Sequence, residues 1–141
     1  MAGSYLIDVA QGLVFSRAWG VLTDGELHWH AETLAADPRF NPGFRQIASF
    51  LDVSDMRVSP EGVRTLAQMN PFRRDSRRAV VVPSDVIFGL TRMFEAHINA
   101  DQDQFRAFRS LGPAFEWVGV DPAAAWPTRE PDATVGVPLM K

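Results

Sequence analysis

The sequence predicts an α/β domain on a single mixed, mostly parallel sheet of about five strands with three to four helices, in the order β-β-α-β-α-β-α-β-α. Two observations lead there. After an opening pair of β-prone runs, apolar runs of strand length alternate with stretches of helical periodicity, and such strands pair in parallel through right-handed crossovers. The helical stretches are also punctuated, by Ser or Thr caps where they start and by prolines where two of them stop. A chain of 141 residues suits one core. Ten Phe and four Trp among 46% hydrophobic residues supply its apolar area.

Each element has its own local reason. Tyr5 to Ala10 and Leu13 to Trp19 are β-prone, and Gln11-Gly12 between them suits a type I′ hairpin turn. Thr23 caps a helix, with Glu26 completing a capping box. Leu27, Ala31, Leu34 and Ala35 then recur at helical spacing until Asp37-Pro38. Gln46 to Val53 is apolar enough for a central strand. Ser59 caps a second helix with Pro60 in its first turn, a buried stripe of Val63, Leu66, Ala67 and Asn70, and Asn70-Pro71 closing it. Arg78 to Val82 is a short strand. Ser84-Asp85 opens a third helix to about Ala100, with Ile87, Leu90, Phe94 and His97 facing inward. Phe105 to Arg109 alternates like an edge strand, and Pro113 to Val118 forms a last helical turn or two. Residues 1–118 make up the domain. The remaining 23 residues hold four of the ten prolines, which predicts an extended tail over 119–141.

Composition narrows the function classes. With no cysteine there is no disulfide, thiolate metal site or cysteine nucleophile. The start MAGSYLIDVAQG lacks a basic segment followed by an apolar run, and no window is apolar enough to span a membrane, so a cytoplasmic protein is expected. A net charge of −3 argues against a general nucleic-acid binder. Thirteen arginines to one lysine, Lys141, fit a GC-rich bacterial coding sequence.

Three segments, GVLTDGEL at a strand-to-helix junction, FLDVSDM at a strand end and QFRAFRSLGPAFEWV near the close, follow one another along the domain up to about Val118. In that order they resemble the STAS domain family, and within it the SpoIIAA-like, or STAS/SEC14-type, subgroup. The resemblance implies a small globule that works by binding other proteins. In its anti-sigma-factor antagonists a serine at the start of the second helix is phosphorylated, which switches partner binding. Asp52 matches the family's strand-end aspartate. Where the family has Asp-Ser-Ser-Gly this chain has Ser59-Pro60-Glu61-Gly62, so the phosphoacceptor position falls on Pro60 or Glu61, neither of which has a hydroxyl. The usual phospho-switch is therefore not expected, and Ser59 reads as a cap.

Among chemistry-bearing residues, Asp52, Ser54 and Asp55 lie at the C-terminal end of a strand, where open α/β sheets often bind ligands. Two carboxylates three apart suit Mg²⁺, but Asp and Ser there more commonly hold turns. An anion at the helix start near Ser59 would be repelled by Glu61. His28 and His30 point to different faces of a helix, and only His97 and carboxylates remain to complete a zinc site, so no metal and no cofactor are expected. Arg73, Arg74, Arg77 and Arg78, four charges less that of Asp75, form a +3 cluster suited to a phosphate, an anionic head group or an acidic partner. No nucleophile elbow, zinc-protease motif or glycine-rich phosphate loop occurs, so no catalytic residue is assigned. Phe88, Phe94, Phe105, Phe108, Phe115 and Trp117 read as core, with a surplus available to line a cavity. Trp126 and the run Val135 to Met140 offer apolar residues for docking on a second copy.

The expected function is a non-enzymatic regulatory or protein-interaction domain whose partner is another protein. It would present Asp52, Ser54, Asp55, Ser59 and Glu61, together with the arginine cluster; a homodimer is also open. The alternative is a carrier or sensor of a small apolar or anionic ligand, in keeping with the SEC14-type resemblance. A closed pocket lined by the late aromatics would favour the alternative.

Overall fold

The structure, a computed structural model, describes residues 2–98, 104–120 and 137–138. The chain runs β1 (Ala2–Asp8), β2 (Leu13–Thr23), α1 (Asp24–Ala36), β3 (Arg45–Arg57), α2 (Pro60–Gln68), β4 (Arg78–Val81), α3 (Asp85–His97), β5 (Phe105–Phe108), α4 (Leu111–Val118) and β6 (Val137–Pro138). One sheet holds the strands in the order β5-β4-β3-β2-β1-β6. β1 and β2 are antiparallel, as are β1 and β6, whereas β2 through β5 are parallel neighbours. The predicted α/β class, strand pairing and central β3 are all found.

The three crossovers from β2 to β5 step in one direction, which sends their helices to one face of the sheet. Leu34 of α1, Ala67 of α2 and Ile87 of α3 join Tyr5, Val14, Ala48 and Val80 in the core on that face. Ala114, Phe115 and Val118 of α4 cover the other face against Leu13, Phe15, Ile47 and Val81. Caps set three of the boundaries. Thr23, Ser59 and Ser84 accept hydrogen bonds from the backbone N–H groups of Glu26, Gly62 and Ile87. Gly119, at φ 82°, ends α4 and lets the Val120 N–H reach the Phe115 carbonyl.

Four expectations change. The hairpin loop has four residues, not two, because Asp8 pairs with Leu13; Gly12 still takes the positive φ, at 65°. The Asp8 carboxylate holds that loop by accepting from the Gln11 N–H and side chain. β3 extends to Arg57 with two register irregularities against β2, one of them beside Gly20 at φ 71°. Ala35 and His97 are exposed; on α3 Thr91, one turn after Ile87, is buried, and past the helix end Ile98 rather than His97 enters the core. Most of the expected tail, including Trp126, lies outside the described residues. Within it, Val137–Pro138 pairs with β1 as a two-residue sixth strand.

Candidate functional site

The predicted site residues divide into exposed and engaged groups. Asp52 is half-buried on β3, where its Oδ2 accepts from Arg17 Nη2 at 2.6 Å and Nε at 3.1 Å. Asp55 instead meets Arg57 at 2.9 Å on the surface, so the two carboxylates do not converge. Among the described residues no three His, Asp or Glu side chains gather as a metal site. Ser54, Asp55, Ser59 and Glu61 are all exposed. Ser59 caps α2, its Oγ accepting from the Gly62 N–H at 2.9 Å. It is bound in turn by Asp24, whose carboxylate takes the Ser59 N–H at 3.0 Å and its hydroxyl at 2.7 Å. His28 Nε2–H donates to the Gly62 carbonyl at 2.9 Å, so His28 joins α1 to α2 rather than lying in solvent.

The arginine cluster is divided too. Arg73, Arg74 and Arg77 are exposed; Arg73 pairs with Asp75, and Arg77 lies over the Trp117 ring at 4.9 Å. Arg78 departs from the surface patch altogether. It is the first residue of β4 and only 8% exposed, on the face covered by α1, α2 and α3. Its guanidinium lies 4.2 Å from the Phe72 ring centre, 5.4 Å from Phe105 and 5.6 Å from Phe94. Nε donates to Gln46 Oε1 at 3.1 Å and Nη1 to Asn70 Oδ1 at 2.9 Å. Among the described residues it meets no carboxylate. Burying a cation without one costs several kcal/mol, which the ring faces (up to about 2 kcal/mol when desolvated) and the two side-chain carbonyls partly offset. Burial lowers its pKa to about 9, so the group stays charged near neutral pH.

Arg78 borders a cavity of about 130 Å³ between the sheet and the three helices. Its walls are mostly apolar: Ala48 and Phe50 from β3, Leu34 from α1, Phe72, and Phe94 and Phe105 from α3 and β5. Phe94 and Phe105 are two of the late aromatics singled out in the sequence, whereas Phe108, Phe115 and Trp117 lie on the opposite face. The polar part of the wall is a connected row. Gln46 carries Arg78 on its Oε1 and donates from Nε2 to Ser16 Oγ at 3.2 Å. Ser16 Oγ lies 3.4 Å from His30 Nε2. Ser16 Oγ, with one hydrogen and two lone pairs, can pair with either tautomer of the ring, whose other nitrogen is Nδ1. That Nδ1 is buried with no partner among the described residues. Burial, with the Arg78 charge as a smaller cause, lowers the His30 pKa to about 4. Glu26, one turn earlier on α1, accepts from the Thr23 hydroxyl through Oε1, a variant of the expected capping box, while its Oε2 is buried and unpartnered.

Neither a protein-family model nor a curated protein matches the chain. A solved structure does: an uncharacterized protein of the DUF3478 family, with a SpoIIAA-like fold, from Shewanella loihica PV-4. It matches with a TM-score of 0.57 and 16% identity over 84% of this chain and 95% of that one. The chain has a SpoIIAA-like fold. At that identity the likeness concerns the fold alone.

Within the SpoIIAA-like fold, the start of α2 is where the sequence resemblance placed a phosphoacceptor. Here Asp24 brings its carboxylate to that helix start, against Ser59 and Gly62. Asp24 gave no signal in the sequence beyond its place in the first turn of α1. Arg78, His30, Glu26, Gln46 and Ser16 were not grouped by the sequence either, because they lie on four different elements and meet only when the sheet and α1 pack. No helix among the described residues is long and apolar enough to cross a membrane.

Proposed function

We propose that this SpoIIAA-like domain is a non-catalytic ligand reader, which takes up a small, largely apolar molecule between its sheet and the three helices on one face. The cavity of about 130 Å³ carries this reading. An apolar cavity of roughly 150 Å³ accommodates a benzene-sized guest, whereas a well-packed core leaves few voids larger than a water.

The regulatory role suggested by the exposed residues fits as the output of the same site. Met56 and Val58 line the cavity, while Ser54 and Asp55 just before them, and Ser59 just after, face solvent. One segment thus borders both the ligand and the surface offered to a protein partner. An occupant that pushes on Met56 and Val58 displaces residues a partner would touch.

Toluene titrated into isotopically labelled protein tests the reading by NMR. Shifts are expected to concentrate at the amides of Ala48, Phe50, Met56 and Ile87, and to disappear in Ala48→Leu, whose larger side chain fills the space. A titration that moves none of these amides would overturn it.

A further inference from the structure

Arg78 brings into the cavity a charge that no carboxylate among the described residues pairs with. Arg78 is buried, ringed by three phenylalanines and held by two neutral side-chain carbonyls. Those two bonds engage Nε and Nη1 and fix the plane of the guanidinium, and no atom among the described residues accepts from Nη2. A residue that only filled the core would serve better as Met or Leu, because an unpaired buried cation is costly. Gln46 and Asn70 are in turn oriented by what they bind: Gln46 is anchored on Ser16, and Asn70 Oδ1 also accepts from the Phe72 N–H. The row orients the cation and leaves its charge uncompensated. On the same wall His30 Nδ1 is a buried polar atom without a partner among the described residues.

We propose that the natural ligand is a small organic acid, whose carboxylate is held by Arg78 while its apolar body lies against Phe50, Phe72, Phe94 and Phe105. A carboxylate matches the guanidinium fork in shape and cancels its single charge. A phosphate dianion would bring one charge too many for Arg78, because Arg17, the other cation on the lining, is already paired with Asp52. The enclosed volume holds about six non-hydrogen atoms, by comparison with the benzene-sized guest of a slightly larger cavity, and because the space is partly open to solvent a somewhat longer acid can project outward. Glu26 is the opposing feature. Its Oε2 is the unpartnered acceptor on the wall, and if it dominated, the cavity would select an amine instead. The assignment to an acid holds only if the cavity takes a guest at all.

Three probes of one skeleton separate these outcomes: 3-methylbutanoate, 3-methylbutan-1-ol and 3-methylbutan-1-amine, each titrated at pH 7 with the cavity amides followed by NMR. The acid is expected to bind at least tenfold more tightly than the alcohol, and the amine not to bind. In Arg78→Met the acid should lose that advantage while the alcohol still enters. Arg78→Lys, which keeps the charge without the fork, should fall between. An alcohol that binds as well as the acid, a preference for the amine, or an acid preference that survives Arg78→Met overturns the assignment and leaves the cavity reading standing. If none of the three enters the wild-type cavity, both fall. Should Arg78→Met fail to fold, the ranking of the three probes on the wild-type protein still decides.

Discussion

At the start of α2 the Asp24 carboxylate does what a bound anion does at other helix N-termini: it takes up backbone and hydroxyl hydrogens at the positive end of the helix. The Gly62 backbone approaches so closely that a Cβ there would run into the Asp24 carboxylate. Gly62→Ala must therefore expel Asp24 or shift α2, at a cost of about 1–3 kcal/mol. Urea unfolding is expected to show that loss in the wild-type background and a much smaller one in Asp24→Ala, where the obstruction is gone. Equal losses in the two backgrounds would mean that the contact is not what makes glycine necessary. Ser59 was readable as a cap because Ser-Pro-Glu is a local signal; Asp24 was not, because its partner lies 35 residues away.

His30 sets a pH dependence at the same scale. Its native pKa is lowered to about 4 from 6.5, chiefly by burial. Below pH 6.5 the unfolded chain therefore takes up a proton that the native state refuses. Stability is full above pH 6.5, falls as pH drops toward 4, and levels off below, with roughly 3 kcal/mol at stake. Asp37 follows further down: the hydrogen bond from Arg39 holds its pKa at about 2, so its contribution is lost between the ordinary carboxylate range and pH 2. Urea unfolding free energies at pH 7 and pH 4.5 should differ in the wild type and differ far less in His30→Gln. A slope unchanged in that variant would assign it to other groups.

At the scale of elements, one side chain ties the start of β3 to both the end of α4 and the hairpin loop. Arg45, the first residue of β3, donates to the Val118 carbonyl at 2.8 Å, the Gly119 carbonyl at 3.2 Å and the Gln11 carbonyl at 2.7 Å. Arg45 thus ties the C-terminal end of α4, where the helix dipole favours positive charge and Arg77 holds the Trp117 carbonyl, to the hairpin loop. Arg45→Ala should leave the parallel strands intact and speed amide exchange in α4, which is short and is the only described helix on its face. Faster exchange in α1 or α2 instead would place the linkage elsewhere. The element order was legible because caps, prolines and apolar runs are written locally. The hairpin loop was misjudged because its length depends on the pairing of Asp8 with Leu13, which no local pattern announces.

For the whole molecule, the decisive fact is that the crossovers from β2 to β5 proceed in one direction and stack α1, α2 and α3 on the same face. Three helices over one sheet leave the space that became the cavity. Concavity belongs to the packed whole, so the sequence could show a surplus of aromatics but not where they would meet. Arg78 illustrates the limit. In the run Arg77-Arg78 the two look alike, yet they fall on opposite sides of the first pleat of β4. One stacks on Trp117 at the surface and the other enters the interior.

The walls of that interior are fastened by different means. α1 and α2 are joined by directional polar bonds, Asp24 to Ser59 and His28 to the Gly62 carbonyl, which either hold or break. α3 has one polar tether among the described residues, the ion pair of Asp85 with Arg109 in its first turn. Beyond that turn it is held by apolar contacts, which weaken gradually as surfaces slide. The first two helices are therefore fixed to each other by bonds of defined geometry, while α3 beyond its first turn rests on surfaces that can adapt to the shape of what they cover.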